Sequence, residues 1–346
     1  MIRIHRVVTL GLALGALTAC GSQAPAPVAS TPAAPPAPKV LEPTAVVKWY
    51  QDCWEDFNER KFDALRACYA ADAQSRQIGG NPVEVNGAAD ISTAAQQFAA
   101  QFPDLRGTQQ LILVHGKRLV SISVLNGTQS GPLLGADGKT RKATGRKLGL
   151  WFAHAVDVAA DPLQVVREYS VRDSGSMALQ LGLSKGPGRA LIAAPTAPPV
   201  IAITSESATE SQNVATETAA IEAWNRHDAA ACEATQADEV VVHDATYARD
   251  MDKAQNTADN KKYWAGFSNA MISYRTLWAA GDYVVYEGRF TGTNDGKMPG
   301  MAKTGRKVAV PMLQIDRFEG GKVRETWLFY DSGNFMAQLM GKAPAT

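Results

Sequence analysis

The chain has 346 residues, of which 45% are hydrophobic and 20% charged, with 35 Lys and Arg against 34 Asp and Glu. That length allows two domains, and the balanced charge leaves no basic excess to hold a phosphate backbone, which argues against nucleic-acid binding. Four cysteines are too few for a disulfide-dense scaffold, and no apolar run reaches the roughly 20 residues that a transmembrane helix needs.

Residues 1–19 have the layout of a bacterial export signal. Arg3 and Arg6 form a charged start, and Val7 to Leu17 form a short apolar stretch. Leu17-Thr18-Ala19-Cys20 follows and resembles the lipobox of bacterial lipoproteins. The resemblance implies cleavage before Cys20 and acylation of Cys20 by chains such as palmitate. At about 0.8 kcal/mol per buried methylene, several chains anchor a protein stably. Gly21 and Ser22 come next, without an Asp. By analogy with lipoprotein sorting in Gram-negative bacteria, that implies an outer-membrane protein facing the periplasm. Residues 20–43 contain 7 of the 18 prolines. They read as an Ala/Pro-rich tether too poor in apolar surface to fold.

Residues 44–184 form the first expected domain. Val46, Val47, Tyr50, Trp54 and Phe57 recur at spacings of three and four, which marks one helix face. Phe62, Leu65 and Tyr69 begin a second helix. Residues 185–212, rich in Pro and then in Ser, Thr and Glu, read as an interdomain linker whose apolar parts lie against a domain surface. Residues 213–342 form the second domain. Ile221 and Trp224 lead through Asn225-Arg226-His227-Asp228 into another helix. Val284, Tyr286 and Phe290 alternate with polar residues, as do Val308, Val310 and Met312, so the period changes to that of strands. Glu319-Gly320-Gly321-Lys322 reads as a hairpin turn and 323–330 as the returning strand.

The two halves resemble each other. Thr144-Gly145-Arg146-Lys147 recurs as Thr304-Gly305-Arg306-Lys307, Asp173-Ser174-Gly175 as Asp331-Ser332-Gly333, and Gln180-Leu181 as Gln338-Leu339. The offsets are 160, 158 and 158. One order at nearly one spacing indicates two copies of one domain. Helices first and long antiparallel strands after them predict an α+β fold in each copy, with a curved sheet wrapped around helices.

These segments resemble the SnoaL-like polyketide cyclase branch of the nuclear transport factor 2-like superfamily. The first copy carries Phe57-Asn58-Glu59-Arg60, Phe102-Pro103-Asp104-Leu105-Arg106, Asn126-Gly127-Thr128-Gln129-Ser130-Gly131 and Ala143-Thr144-Gly145-Arg146. The second matches at Trp224 to Asp228, Thr291-Gly292-Thr293, Thr304 to Lys307 and Glu325 to Leu339, but has Phe267-Ser268-Asn269 in place of the Phe-Pro-Asp-Leu-Arg segment. The resemblance implies tandem cone-shaped α+β barrels, each enclosing one apolar pocket. It leaves function open, because a fold of this kind hosts many activities.

The resemblance also implies acid–base chemistry by a carboxylate or His inside the cone. Alternation puts Glu325, Trp327, Phe329 and Asp331 on one side of the last strand. If that side faces the cone, Asp331 falls where the family carries its acid/base Asp. The alternative is a helix N-cap, which Asp-Ser-Gly before a helix also fits. Asp173 has the same ambiguity. His243 and Asp244 follow the apolar run 240–242 and are a second acid/base candidate or a surface turn. Arg76 and Gln77 stand near the matching place in the first copy, which therefore looks less suited to proton transfer. Glu287 and Tyr286 have opposite strand parity, so one points inward. Tyr263, Tyr274, Trp278, Trp327 and Phe329, with Tyr169 in the first copy, are candidate pocket walls or ordinary core. No Cys/His cluster, His pair or Gly-rich phosphate loop is present, so neither a metal nor a cofactor is expected. Cys53 and Cys68 lie on consecutive helices and are a possible disulfide, leaving Cys232 as a small buried hydrophobe.

Three functions fit. The first is a lipid-anchored binder of a small apolar or amphipathic molecule. The second is a cofactor-independent cyclase, isomerase or hydratase acting in the second copy through Asp331, His243 and Asp244. The third is a structural module whose two copies pair as a pseudo-dimer.

Overall fold

The computed structural model describes residues 42–80, 83–134, 139–185, 188–298 and 301–342. The export signal, Cys20 and nearly all of the Ala/Pro-rich tether lie outside the described residues.

The first domain runs α1 (Pro43–Asn58), α2 (Phe62–Ala67), β1 (Tyr69–Ile78), β2 (Glu84–Asn86), α3 (Ala88–Gln101), β3 (Arg106–His115) and β4 (Arg118–Thr128). The short pair β5 (Leu133–Leu134) and β6 (Thr140–Arg141) follows, then β7 (Lys147–Ala160), β8 (Leu163–Val171) and α4 (Ser174–Gln180). Next come β9 (Val200–Ile203), α5 (Ala208–Asn225), α6 (Ala229–Ala234), β10 (Gln236–Asp244) and α7 (Lys253–Gly266). The chain ends with β11 (Met271–Ala280), β12 (Tyr283–Thr293), β13 (Lys307–Glu319), β14 (Lys322–Tyr330) and α8 (Ser332–Leu339).

Pro43 opens α1, where its fixed φ is already helical and its missing N–H costs no bond. Ser207 and Asp252 begin α5 and α7 with reciprocal capping boxes to Glu210 and Gln255. Tyr69, expected with Phe62 and Leu65 in the opening turns of a second helix, instead starts β1, because α2 stops at Ala67 and the Tyr69 hydroxyl reaches Glu168 on β8. Gly320 and Gly321 turn the β13–β14 hairpin with φ of 58° and 74°, a pair of left-handed residues that only glycine adopts without strain. Cys53 of α1 and Cys68, just past α2, form a disulfide, and Cys232 is free and buried.

Two sheets result. One has the order β2-β1-β8-β7-β4-β3-β9 and the other β10-β14-β13-β12-β11. Removing the edge strands β2 and β9 leaves the same five-strand order in both, as a duplication requires. The sheets are mixed rather than purely antiparallel, since β1 runs parallel to β8 and β10 parallel to β14. The linker between the domains is partly a strand: β9 pairs in parallel with β3, in the register Leu111↔Val200 to Val114↔Ile203.

Each sheet is covered on both faces. One face packs on its own helices. In the first domain Ile112, Val114 and Val156 meet Val46, Val47 and Tyr50 of α1. In the second, Tyr286, Phe290 and Met312 meet Ile221 of α5 and Phe335 of α8. The opposite faces meet each other: Leu111, Leu113, Ile122, Trp151 and Tyr169 share one buried cluster with Trp278, Leu313, Ile315, Trp327 and Phe329. Each large side chain buried there contributes about 1.5–3 kcal/mol, so this contact joins the two copies firmly.

Candidate functional site

The inner face of the second sheet closes over α5 and α7 around a cavity of about 160 Å³. Glu217, Ile221 and Trp224 project into it from one side of α5, at the three- and four-residue spacing of a helix face. Alternate strand residues complete it: Val242 and Asp244 on β10, Met312, Gln314 and Asp316 on β13, and Thr326, Leu328 and Tyr330 on β14. Most of the wall is apolar, but four carboxyl groups line it.

Asp244 is 2% exposed. Its Oδ1 accepts from the Thr246 backbone N–H at 2.8 Å and the Thr246 hydroxyl at 2.7 Å. Thr246 Oγ1 lies 2.9 Å from the Tyr330 hydroxyl, which lies 3.1 Å from that of Tyr263. Burial pushes the Asp244 carboxyl up to about 7; the bonds from Thr246 oppose this, and the charges of Asp259 and Asp173 add to it. Asp259, held by the Tyr247 hydroxyl at 2.5 Å, is also raised by burial.

Glu217 and Asp316 form a second pair in the same cavity. Burial raises both, and Asp316 raises Glu217 further by its charge and by accepting its hydrogen bond. Of the two, Glu217 is pushed further above the ordinary carboxylate range. Asp316 also accepts from Thr326 Oγ1 at 2.5 Å and Gln314 Nε2 at 2.8 Å, and Gln314 accepts from the Tyr286 hydroxyl at 2.8 Å.

The first domain encloses a smaller cavity of about 110 Å³, walled by Trp49, Trp54, Phe57, Phe98 and Phe152. The Tyr50 hydroxyl lies 2.6 Å from His154 Nδ1 and 2.7 Å from Ser121 Oγ. His154 Nε2 is 3.6 Å from Glu168 Oε2, which accepts from the Tyr69 hydroxyl at 2.7 Å. Burial works against the Glu168 charge, but His154, Tyr69 and Ser75 outweigh it and hold the carboxyl below its ordinary range. The expectation that this copy lacks an acid/base pair is corrected by His154 and Glu168. They sit on β7 and β8 at the parity of Phe152 and Ser170, which also line the cavity.

The sequence candidates are dispersed. Asp244 and Tyr263 line the second cavity. Asp331 does share a side with Trp327 and Phe329, but that side faces the other domain rather than the cone. Asp331 and Asp173 are N-caps, and each also binds the other domain. Asp331 Oδ1 accepts from the backbone N–H and hydroxyl of Ser174 at 3.0 and 2.5 Å. Asp173 Oδ1 accepts from the same groups of Ser332 at 2.8 and 2.6 Å. Each carboxylate also caps its own helix, at Gly333 or at Gly175 and Ser176. A Cβ at Gly175 or Gly333 would collide with the opposite serine hydroxyl, which explains the repeated Asp-Ser-Gly.

His243 points away from the cavity, as it must if its neighbour Asp244 points in. Its Nε2 is 2.9 Å from Glu325 and its Nδ1 2.9 Å from Asp250. Its ring stacks on Trp327 and meets the edge of Trp151, whose other side carries the Arg189 guanidinium. Burial works against its charge, yet Glu325 and Asp250 outweigh it and raise its pKa. Trp278, Trp327, Phe329 and Tyr169 belong to the cluster between the sheets, so they wall no cone. Of the pair of opposite parity, Tyr286 faces the cavity, and Glu287 reaches Arg167 of the first domain at 2.5 Å. Tyr274 is 44% exposed and borders an interdomain cleft. Sequence reasoning missed Glu217, Asp316, Asp259, His154 and Glu168. Among the described residues, no group of three or more His, Cys, Asp and Glu is arranged to hold a metal ion.

No curated protein matches the chain. Several solved structures are similar to parts of it, three of which each cover less than half of the chain. A protein of Jannaschia sp. CCS1, assigned as a SnoaL-like polyketide cyclase, is 24% identical over 40% of this chain and 96% of its own, with a TM-score of 0.37. IdmH of Streptomyces antibioticus, assigned as a polyketide cyclase, is 23% identical over 37% of this chain and 99% of its own, with a TM-score of 0.34. AclR of Streptomyces galilaeus, assigned as a hydroxylase, is 22% identical over 40% and 85%, with a TM-score of 0.36. The family model of the SnoaL-like polyketide cyclases matches residues 44–180 and again 215–339, most of the sequence, and the chain belongs to that family as two tandem domains.

Proposed function

We propose that this protein binds a compact, largely apolar molecule with a polar group, and that the cone of the second domain is its main site. The observation that carries this is a cavity of about 160 Å³ in which apolar walls surround Asp244 and the Glu217–Asp316 pair. An apolar cavity of about 150 Å³ accepts benzene, so the space suits a molecule of about one ring. Carboxyl groups left inside such a cavity recognise a hydroxyl, amine or carbonyl and fix its orientation.

A second reading, acid–base catalysis of a cyclisation or isomerisation, is favoured by one feature. Asp244, with its pKa at about 7, takes or gives a proton near neutral pH, as a general acid or base must. The Asp331 and His243 mechanism expected from the sequence has no such support, because both side chains are engaged between the domains.

Native mass spectrometry of protein purified from its own host tests the binding reading. A co-purifying small molecule is expected on the wild-type chain. Ala220→Trp, which fills the cavity from α5, should lose it while keeping the fold. Retention of that molecule by the filled variant would contradict the assignment.

A further inference from the structure

The duplicated cones have diverged in charge, position by position. Arg172, at the end of β8, stands where the second domain has Tyr330 at the end of β14. Tyr50 on α1 stands where α5 has Glu217, and Gln77 on β1 where β10 has Asp244. Among the described residues, the second cavity is lined by four carboxyl groups and no Lys, Arg or His. The first is lined by Arg172 and His154 against the single carboxyl of Glu168.

Arg172 has no partner for its charge. Its Nε is sealed from solvent and makes no hydrogen bond. Among the described residues, no hydrogen bond or ion pair engages the rest of the guanidinium. Its guanidinium carbon lies over the Phe98 ring, 4.7 Å from the centroid. The nearest opposite charges, Asp331 and Glu168, are committed elsewhere: Asp331 to Ser174 and Gly333, Glu168 to Tyr69 and His154. A buried cation without a hydrogen-bonding anion is costly to the folded state. A guanidinium fork is built for two-point contact with a carboxylate.

We propose that the cone of the first domain is a receptor for a compact apolar monocarboxylate, whose carboxylate pairs with Arg172 and whose hydrocarbon part lies among Trp54, Phe57, Phe98 and Phe152. The proposal rests on the reading of the cones as binding sites and adds a substrate class to it. At about 110 Å³ the cavity is smaller than the roughly 150 Å³ that accepts benzene, so it suits a short-chain acid better than a single-ring one. Among the described residues, the second cone offers the same anion no cationic side chain, so the two cones sort ligands by charge.

Isothermal titration calorimetry of the full chain at neutral pH tests this, with butanoate and benzoate each compared with the matching alcohol. At least one acid should bind tenfold or more tightly than its alcohol. Arg172→Gln and Arg172→Met should abolish that preference. Both variants should keep the wild-type far-ultraviolet circular dichroism and melt close to the unliganded wild type, since they remove no hydrogen bond or ion pair that the guanidinium makes among the described residues. Ala95→Trp, which fills this cavity from α3, should block acid and alcohol alike. Equal binding of acid and alcohol would overturn the role of Arg172 and leave the cone as a binding site. No binding of any probe would overturn both. Loss of the fold in both Arg172 variants would make Arg172 a structural residue and overturn the proposal.

Discussion

Asp244 and His243 are neighbours in sequence and opposites in role. On a strand, adjacent side chains point to opposite faces, so the pair that looked like an acid/base couple is divided between a cavity and an interdomain contact. The buried state of Asp244 has a measurable consequence. In the folded protein it keeps its proton to about pH 7, whereas in the unfolded chain it loses it near pH 4. Between those values the folded state binds more protons, so the Asp244 contribution to stability falls as pH rises. Asp244→Asn removes this titration and retains an acceptor for Thr246. The unfolding temperature of the variant minus that of the wild type should therefore increase from about pH 5 to about pH 8. A difference that is flat or shrinks over that range would contradict the assigned burial. At this scale the sequence singled out Asp244 and Tyr263, and both line the cavity. It hid Glu217 and Asp316, which are 99 residues apart, because only the packing of α5 across the inner face of the sheet brings them to one cavity.

At the scale of elements, the side of β14 that carries Trp327 and Phe329 faces the first domain, and the opposite side, with Thr326, Leu328 and Tyr330, faces the cone. Both faces are buried. A signal for this exists in the sequence: Leu111 to Val114 and Val310 to Ile315 are apolar at nearly every position rather than at alternate ones. A strand covered on both sides reads that way. Alternation then shows which residues share a face, but not which face looks inward, and so Trp327, Phe329 and Asp331 were grouped correctly and placed on the wrong side. The Asp-Ser-Gly repeat was legible as a pair of caps, but the crossing of the caps between domains was not, because it depends on the docking of α4 against α8. Asp331→Ala removes a cap, worth about 1 kcal/mol, and leaves Ser174 without its buried acceptor, for roughly 1–3 kcal/mol more. Urea unfolding should show a loss of about 2 kcal/mol or more for Asp331→Ala and a similar loss for Asp173→Ala. Asp331→Asn, which keeps an acceptor oxygen, should lose less. Asp331→Ala with unchanged stability would contradict the reciprocal capping.

At the scale of the molecule, duplication was the most legible property, because three short motifs recur in one order at nearly one spacing. Two sheets that share one five-strand order follow from it. What the repeat did not reveal is how the copies share work. The outward faces of both sheets are spent on each other, through Trp151, Trp278, Trp327 and their neighbours. Aromatic residues that looked like pocket walls therefore serve cohesion, and the cones are left to a different set of side chains. Those sets no longer match: a Tyr–His–Glu chain and an unpartnered Arg172 occupy one, while the other holds four carboxyl groups. One copy is therefore no spare of the other, and each cone presents its own chemistry to a ligand.

A binding role requires the cones to be occupied by something other than protein. A crystal structure of the chain purified from its native host, without added ligand, tests this most directly. The expected result is continuous electron density for a small molecule in the cone of the second domain, within hydrogen-bonding distance of Asp244 or of the Glu217–Asp316 pair. A cone holding only ordered water, or closed by the side chains around it, would contradict the account.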